Sequence, residues 1–402
     1  MSNPNETIWT RNFICASLAN MMLTLSHTSV NTLASTYASF LGAGAVLVGA
    51  LTGIFFGVAV AMRPAAGPLT VRINSRKLML GVYALGVIVN LGYALFSGIG
   101  WFIVFRVLNG IQYSVIGSLT MKIANDSLPK SKIASGIGAF CISNSMAHAV
   151  GPSIGVMLRE FGTKVRGESM GFTLVFVFAA LMMLLALIPC FCLRDMGRPK
   201  LNPKSVWYNE IISKPALAPA LAMTLMMMSY SLFSAYMVPF ADSKGISGIG
   251  LFFTVLAICL MITRPLSGKI ADKRGLLLVS LPGAALFSLS FIVISKGNTL
   301  TAMLFAAVIA SLTYGAANPG IQTMCMQTES PERSGVASNT LFLGVDLGFF
   351  FGPLLGSIIY SNYSYSIMFL SGIVPCIISA LVILLAWPSF KKRRISLDTI
   401  AA

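Results

Sequence analysis

Apolar residues fill this chain in long blocks, and the blocks are separated by short stretches that hold charge, glycine or proline. A helix rises 1.5 Å per residue, so about 20 apolar residues are needed to cross roughly 30 Å of hydrocarbon. Read against that length, the pattern predicts twelve spanning helices, at 11–33, 44–70, 77–97, 100–124, 133–158, 169–193, 215–240, 247–271, 275–295, 299–326, 334–360 and 365–388. The longest polar stretch is 194–214, RDMGRPKLNPKSVWYNEIISK, which is basic and contains proline. It divides the spans six and six. The expected organisation is a six-helix bundle over 1–193, a linker over 194–214 lying on an anionic membrane surface, and a second bundle over 215–402 ending in a basic tail. The fold class is all-α integral membrane, with twelve transmembrane helices as two pseudo-symmetric six-helix bundles.

The symmetry is legible as an internal repeat. Arg63-Pro64 recurs as Arg264-Pro265, Gly67 as Gly268, Tyr113 as Tyr314, Gly151-Pro152 as Gly352-Pro353 and Gly155 as Gly356, each pair 201 positions apart. Repeats of this kind commonly hold a substrate site between them, near the bilayer midplane.

Composition agrees with lipid as the solvent: of 402 residues 56% are hydrophobic and 10% charged, against about 25% charged in soluble domains. The net charge of +16 does not mark a nucleic-acid surface, because the charges sit between spans rather than on one polar face. They alternate loop by loop. One set of loops carries Arg63, Arg72, Arg76 and Lys77, then Lys122, Lys130 and Lys132, the linker cluster, Arg264, Lys269, Lys273 and Arg274, Arg333, and the tail Lys391 to Arg394; the other set carries only Arg159, Lys164, Arg166, Lys244 and Lys296. By the positive-inside rule both termini and the linker are expected in the cytoplasm. Trp9, Trp101 and Trp387 fall at span ends, where an amphipathic indole prefers to be. The 7 cysteines lie in apolar runs without metal-ligand spacing, so no metal and no cofactor is expected. The first residues, MSNPNETIWTRN, lack a basic n-region and a cleavage site, so the first apolar run is expected to stay as a helix. A multi-pass protein of a bacterial inner membrane, working as a monomer, is the expected setting.

The loop after the eighth span reads Arg264-Pro265-Leu266-Ser267-Gly268-Lys269-Ile270-Ala271-Asp272-Lys273-Arg274-Gly275. It closely resembles the cytoplasmic signature of the major facilitator superfamily, a glycine followed by a short turn and Asp-Arg/Lys. The first-half copy, Gly67-Pro68-Leu69-Thr70-Val71-Arg72-Ile73-Asn74-Ser75-Arg76-Lys77, keeps the glycine and the basic cluster but has Val71 where the acid is expected. Gly138, Gly151-Pro152 and Gly155 in the fifth span resemble the family's antiporter signature, with Ala147 in place of one glycine. Arg106-Val-Leu-Asn109-Gly110 in the fourth resembles the signature of proton-coupled members. The resemblance to proton-coupled drug and metabolite efflux members implies export of a small organic molecule in exchange for protons by alternating access.

Physical chemistry gives these residues roles to test. Asp272 can pair with the positive N-terminus of a neighbouring helix. Pseudo-symmetry places that contact at the start of the fifth span, beside Lys130 and Lys132, as a latch on one access state. Gly151-Pro152 and Gly352-Pro353 mark bending points whose freed carbonyls need internal partners. Asp346 is the one carboxylate deep in a span, and a buried carboxylate that changes protonation suits a proton carrier. His27 and His148 are further proton-relay candidates. Arg106, Asn109, Tyr113, Tyr230, Tyr236, Tyr314 and Asn318 are candidates for the substrate cavity, since aromatic bodies with polar tips suit amphipathic ligands. No nucleotide-binding loop is present. Uptake or facilitated diffusion is the alternative within transport. An embedded enzyme would need a nucleophile–base pair or metal ligands in the spans, and a receptor would need sizeable soluble domains.

Overall fold

The structure is a computed structural model and describes residues 7–43, 45–194, 211–246 and 248–401. The expected surface linker falls almost wholly outside the described residues, as does the extreme N-terminus. Twelve helical stretches among the described residues are long and apolar enough to cross a membrane. Their outward surfaces carry large apolar side chains such as Leu385, 78% exposed, and Ile88, 60% exposed. Such surfaces are tolerable only in lipid.

The chain packs as two compact units. One comprises Trp9–Ser127 and Ser143–Ile211, the other Leu128–Ile142 and Ile212–Ala402. The first holds α1 (Arg11–Phe40), α2 (Ala45–Arg72), α3 (Ser75–Leu95), α4 (Ile99–Asp126), the later turns of α5 (Ile133–Arg166) and α6 (Glu168–Cys192). The second takes the opening turns of α5 and adds α7 (Leu217–Ser243), α8 (Gly250–Arg274), α9 (Leu276–Leu286), α10 (Ser288–Lys296), α11 (Leu300–Met326), α12 (Ser334–Asn362), α13 (Tyr365–Ser371) and α14 (Ile373–Ala401). The division therefore falls inside a helix as well as at the linker.

The helices overrun the apolar blocks. α1 continues to Phe40 and α5 to Arg166. The ninth span is not one helix: α9 and α10 are separated at Phe287. There the Ser288 hydroxyl donates to Ala285 O at 2.6 Å and the Ser290 hydroxyl to Phe287 O at 2.7 Å, and such back-bonding bends helices. The twelfth span breaks at Gly372, whose carbonyl accepts from Ser229 Oγ of α7 at 2.8 Å.

Each unit repeats the same packing. In the first, α1 lies on α6, α2 on α4, and α3 on α4 and α6; in the second, α7 lies on α14, α8 on α11, and α9 on α11 and α14. Each is filled by aromatic rings, Tyr37, Tyr93, Phe102 and Phe172 in one and Phe233, Phe252, Phe287 and Phe291 in the other. The glycines of the two Gly-Pro elements face the opening helix of their own unit. A Cβ at Gly151 would press on Thr28 Oγ1 of α1, with one at Gly155, a turn on, 2.7 Å from Ser29 O, and one at Gly352 would meet Met228 O of α7 at 2.5 Å. Helices α5 and α12 run on through Pro152 and Pro353, so glycine is required here for backbone approach.

Candidate functional site

In the first unit the candidates form a hydrogen-bonded chain. His27 is half-buried on α1, with its ring stacked on Tyr113 of α4 (4.7 Å between centroids, 12° between planes) and tilted against Phe55 of α2 at 4.4 Å. Its Nε2 lies 2.7 Å from Asn31 Nδ2, and Asn31 Oδ1 accepts from Arg106 Nη1 at 2.6 Å. Guanidinium only donates, so the amide oxygen must face Arg106 and the amide nitrogen must face His27. His27 Nε2 is then an acceptor. Arg106 is 1% exposed, and its guanidinium lies over the Phe102 ring at 5.2 Å. Its Nε and Nη2 are buried without a hydrogen-bond partner among the described residues. Asn109 is buried on the same helix at 4% exposure. His148 is exposed on α5, near enough to His27 for their charges to interact.

The repeated arginines are structural clasps. Arg63, fully buried on α2, donates from Nη1 to Ser114 O at 2.6 Å and Ser118 Oγ at 2.8 Å of α4. Arg264 on α8 donates from Nη1 to Cys141 O of α5 at 2.5 Å and hydrogen-bonds Tyr314. In the first-half loop, Gly67 is buried, Arg72 is exposed and Arg76 donates to Phe191 O at 2.8 Å. Val71 is wholly buried.

The second unit centres on Tyr314 of α11. Tyr230 of α7 stacks on it at 4.4 Å and 13°. Gln322 Nε2 donates to Asn318 Oδ1 at 2.8 Å, and Asn318 Nδ2 donates to the Tyr314 hydroxyl at 3.1 Å. The three residues are spaced by four on one helix face. Tyr314 and Asn318 are only 4% and 3% exposed, so they are packed inside the unit, whereas Tyr230 is half-buried. Tyr236 is elsewhere: its hydroxyl donates to Pro353 O at 2.7 Å and holds a carbonyl of the Gly-Pro element. Asp346 on α12 is wholly buried. At 100° per residue it lies opposite the stripe Gly344, Gly348 and Gly352 that seats on α7.

Asp272 sits at the N-terminus of α5. Its carboxylate accepts from Ala134 N at 3.0 Å, Ser135 N at 2.9 Å and the Ser135 hydroxyl. α8 and α5 meet there glycine to backbone: a Cβ at Gly268 would lie 2.7 Å from Ala134 O, and one at Gly138 would lie 2.7 Å from Arg264 O. Lys273 is exposed.

Sequence reading passed over Asn31 as the bridge and Ser135 as the partner of Asp272. The i,i+4 spacing of His27 and Asn31 was the available signal for the first. Nothing local marks Ser135, which is fixed by a contact 137 positions away in sequence.

The family model described as Major Facilitator Superfamily matches residues 16–342 and 297–399. The chain is similar to "Multidrug resistance protein MdtG" of Escherichia coli O17:K52:H18 (strain UMN026 / ExPEC), 24% identical over 412 residues that cover 98% of each chain. Among solved structures it is similar to the human organic anion transporter MFSD10 (TETRAN), with TM-score 0.78 and 16% identity, covering 92% of this chain and 98% of that one. It is also similar to the proton:xylose symporter XylE bound to 6-bromo-6-deoxy-D-glucose, with TM-score 0.73 and 13% identity, covering 93% and 94%. These likenesses to solved structures establish the fold.

Proposed function

The chain belongs to the major facilitator superfamily, and on that premise we propose that it exports a small organic molecule across a bacterial inner membrane in exchange for protons. Membership makes it a multi-pass membrane transporter of small molecules and not an enzyme. One observation carries the reading: Asp346, a carboxylate with no exposed surface, stands in the middle of an apolar helix. Keeping an ionisable group there is expensive, and the cost is met where the group changes protonation as part of the work. The 98% coverage by MdtG-type resistance proteins supports the outward direction. In the same reading both termini face the cytoplasm, the protein acts as a monomer, and the Asp272 contact with the α5 N-terminus is the latch that forms and breaks with each access change.

Everted membrane vesicles test this. An imposed pH gradient should drive uptake of a substrate from a panel of lipophilic cations, neutral amphiphiles, zwitterions and organic anions into wild-type vesicles, and Asp346→Asn should reduce it to the level of empty membranes. Undiminished gradient-driven flux in Asp346→Asn would remove the coupling assignment. A second reading, proton-coupled uptake, is favoured by the uncompensated Arg106, because a purely anionic substrate attracts a proton rather than displacing one. The direction of flux separates the two.

A further inference from the structure

Arg106 is a charge without an account. Its guanidinium is 1% exposed, and no carboxylate pairs with it among the described residues. Its one hydrogen bond goes to a neutral amide, at 2.6 Å, and Nε and Nη2 have no partner among those residues. The nearby Tyr93 hydroxyl, close enough to interact electrostatically, is likewise buried and unpartnered. A buried cation left in this condition destabilises the fold, and an apolar residue in its place would be as stable or more so. Arg63, by contrast, is tied to the neighbouring helix by two bonds, to Ser114 O and Ser118 Oγ. Arg106 is built for something that is not part of the chain.

We propose that Arg106 is the anion subsite of the substrate pathway and takes a carboxylate, phosphate or phosphonate group of the transported molecule. Asn31 Oδ1 already occupies the place of one ligand oxygen, as a neutral stand-in that a charged oxygen displaces with advantage, since charge-assisted bonds to guanidinium are stronger and can be bidentate. The way in runs past half-buried groups, His27, Asn31 and Tyr113. The stacked His27 and Tyr113 rings, backed by Phe55, form a flat wall for an aromatic or alicyclic body beside the anionic group. This rests on the transport reading above and narrows it. An anionic group alone would favour proton binding elsewhere on the carrier, which is the sign of cotransport. Exchange for a proton therefore requires the substrate to bring a positive charge of its own. The molecule exported in exchange is accordingly amphoteric, an amphipathic zwitterion.

The test needs no gradient. The purified full chain in lipid nanodiscs is heated with and without 4-methylbenzoate, the zwitterion 4-(aminomethyl)benzoate, or the cation 4-(aminomethyl)benzamide, and the unfolding midpoint is read as a function of concentration. Both carboxylates should raise the midpoint of the wild type, and the amide should not. Arg106→Gln should weaken the carboxylate response roughly 30-fold or more while unfolding, without ligand, no lower than the wild type. Asn31→Asp, which supplies the missing carboxylate from within, should unfold at a higher temperature and no longer respond. An equal response to amide and carboxylate, a response retained in Arg106→Gln, or no response to any carboxylate would overturn the anion subsite. A large fall in the ligand-free midpoint of Arg106→Gln would do so as well, by showing a structural arginine. Asp346→Asn should keep the carboxylate response. A protein that binds carboxylates through Arg106 but shows no proton exchange would refute the antiport reading and leave this site standing.

Discussion

The two units share a frame and differ in what they charge. Each stacks a tyrosine at the repeated position on a ring from its opening helix: Tyr113 on His27 at 4.7 Å, Tyr314 on Tyr230 at 4.4 Å. Each seats a Gly-Pro element on that opening helix, and each uses the repeated arginine to clasp a neighbouring backbone. Yet the position equivalent to Arg106 is Ala307, the one equivalent to Asp346 is Ser145, and the one equivalent to Asp272 is Val71. Duplication preserved what backbone packing demands, while the ionisable groups diverged. At these diverged positions the first unit carries a buried cation, Arg106, and the second a buried acid, Asp346. Under the proposed reading, that difference lets the carrier treat a substrate group and a proton differently.

The largest effect expected from breaking this asymmetry is at Asp346. Asp346→Asn should abolish gradient-driven flux, whereas Ser145→Ala at the equivalent position should leave it within about fivefold, since a lost hydroxyl costs only about 1 kcal/mol. Equal damage from both substitutions would mean that the position serves packing in both units, and that the acid has no coupling role.

Most of the frame was readable before any coordinate. Twelve apolar blocks and five landmarks at one offset are properties of composition and order, and the helices follow because lipid permits no unpaired backbone. What was not readable depends on approach between distant segments. That Asp272 meets Ser135 could be placed only to a helix end, through the repeat. That Arg106 has no carboxylate partner among the described residues depends on which segments approach it, and that is not written in the local sequence. Tyr236 read as a cavity residue because tyrosine in the seventh span fits one, whereas its hydroxyl serves Pro353 O. The ninth span read as one helix because Ser288 and Ser290 count as neutral in a hydropathy pattern, although their hydroxyls compete for its carbonyls.

Next in size is the contact that only the second unit arms with an acid. Gly268→Val places side-chain atoms against Ala134 O and Ser135 Cα, both backbone and less than 3 Å from the first added carbon. It should cost roughly 1–3 kcal/mol of stability and lower the thermal midpoint. Gly81→Ala, with nothing within 4 Å of the added carbon, should be neutral or slightly stabilising. Asp272→Asn keeps the size and removes the charge. Bonds to a charged group are worth about 1.5–3 kcal/mol when buried, and this carboxylate is half-exposed, so a loss of about 1 kcal/mol is expected, with a slower flux under saturating substrate. A stability loss without any change in flux would make the contact an ordinary tie between α8 and α5 and remove the latch.

The smallest effect bears on the two aromatic stacks. Tyr314→Phe keeps the ring on Tyr230 and deletes only the oxygen that accepts from Asn318 Nδ2 at 3.1 Å and hydrogen-bonds Arg264. Both partners are nearly fully buried, with 3% and 7% exposure, so they lose a partner where water does not readily replace it, and the cost should be about 1–2 kcal/mol. Tyr230→Phe keeps the same stack from the other side. Its hydroxyl makes no hydrogen bond among the described residues and its ring is half-buried, so the thermal midpoint should move by only a few tenths of a kcal/mol in equivalent free energy. The difference between the two variants, read in one thermal series, isolates what the hydrogen-bonded Tyr314 hydroxyl contributes. If neither falls, the stacked rings hold the tyrosine in place and the polar ladder from Gln322 to Tyr314 adds nothing. If only Tyr314→Phe falls, the ladder and the Arg264 clasp fix the tyrosine in place, and Tyr230 is free to turn toward a ligand.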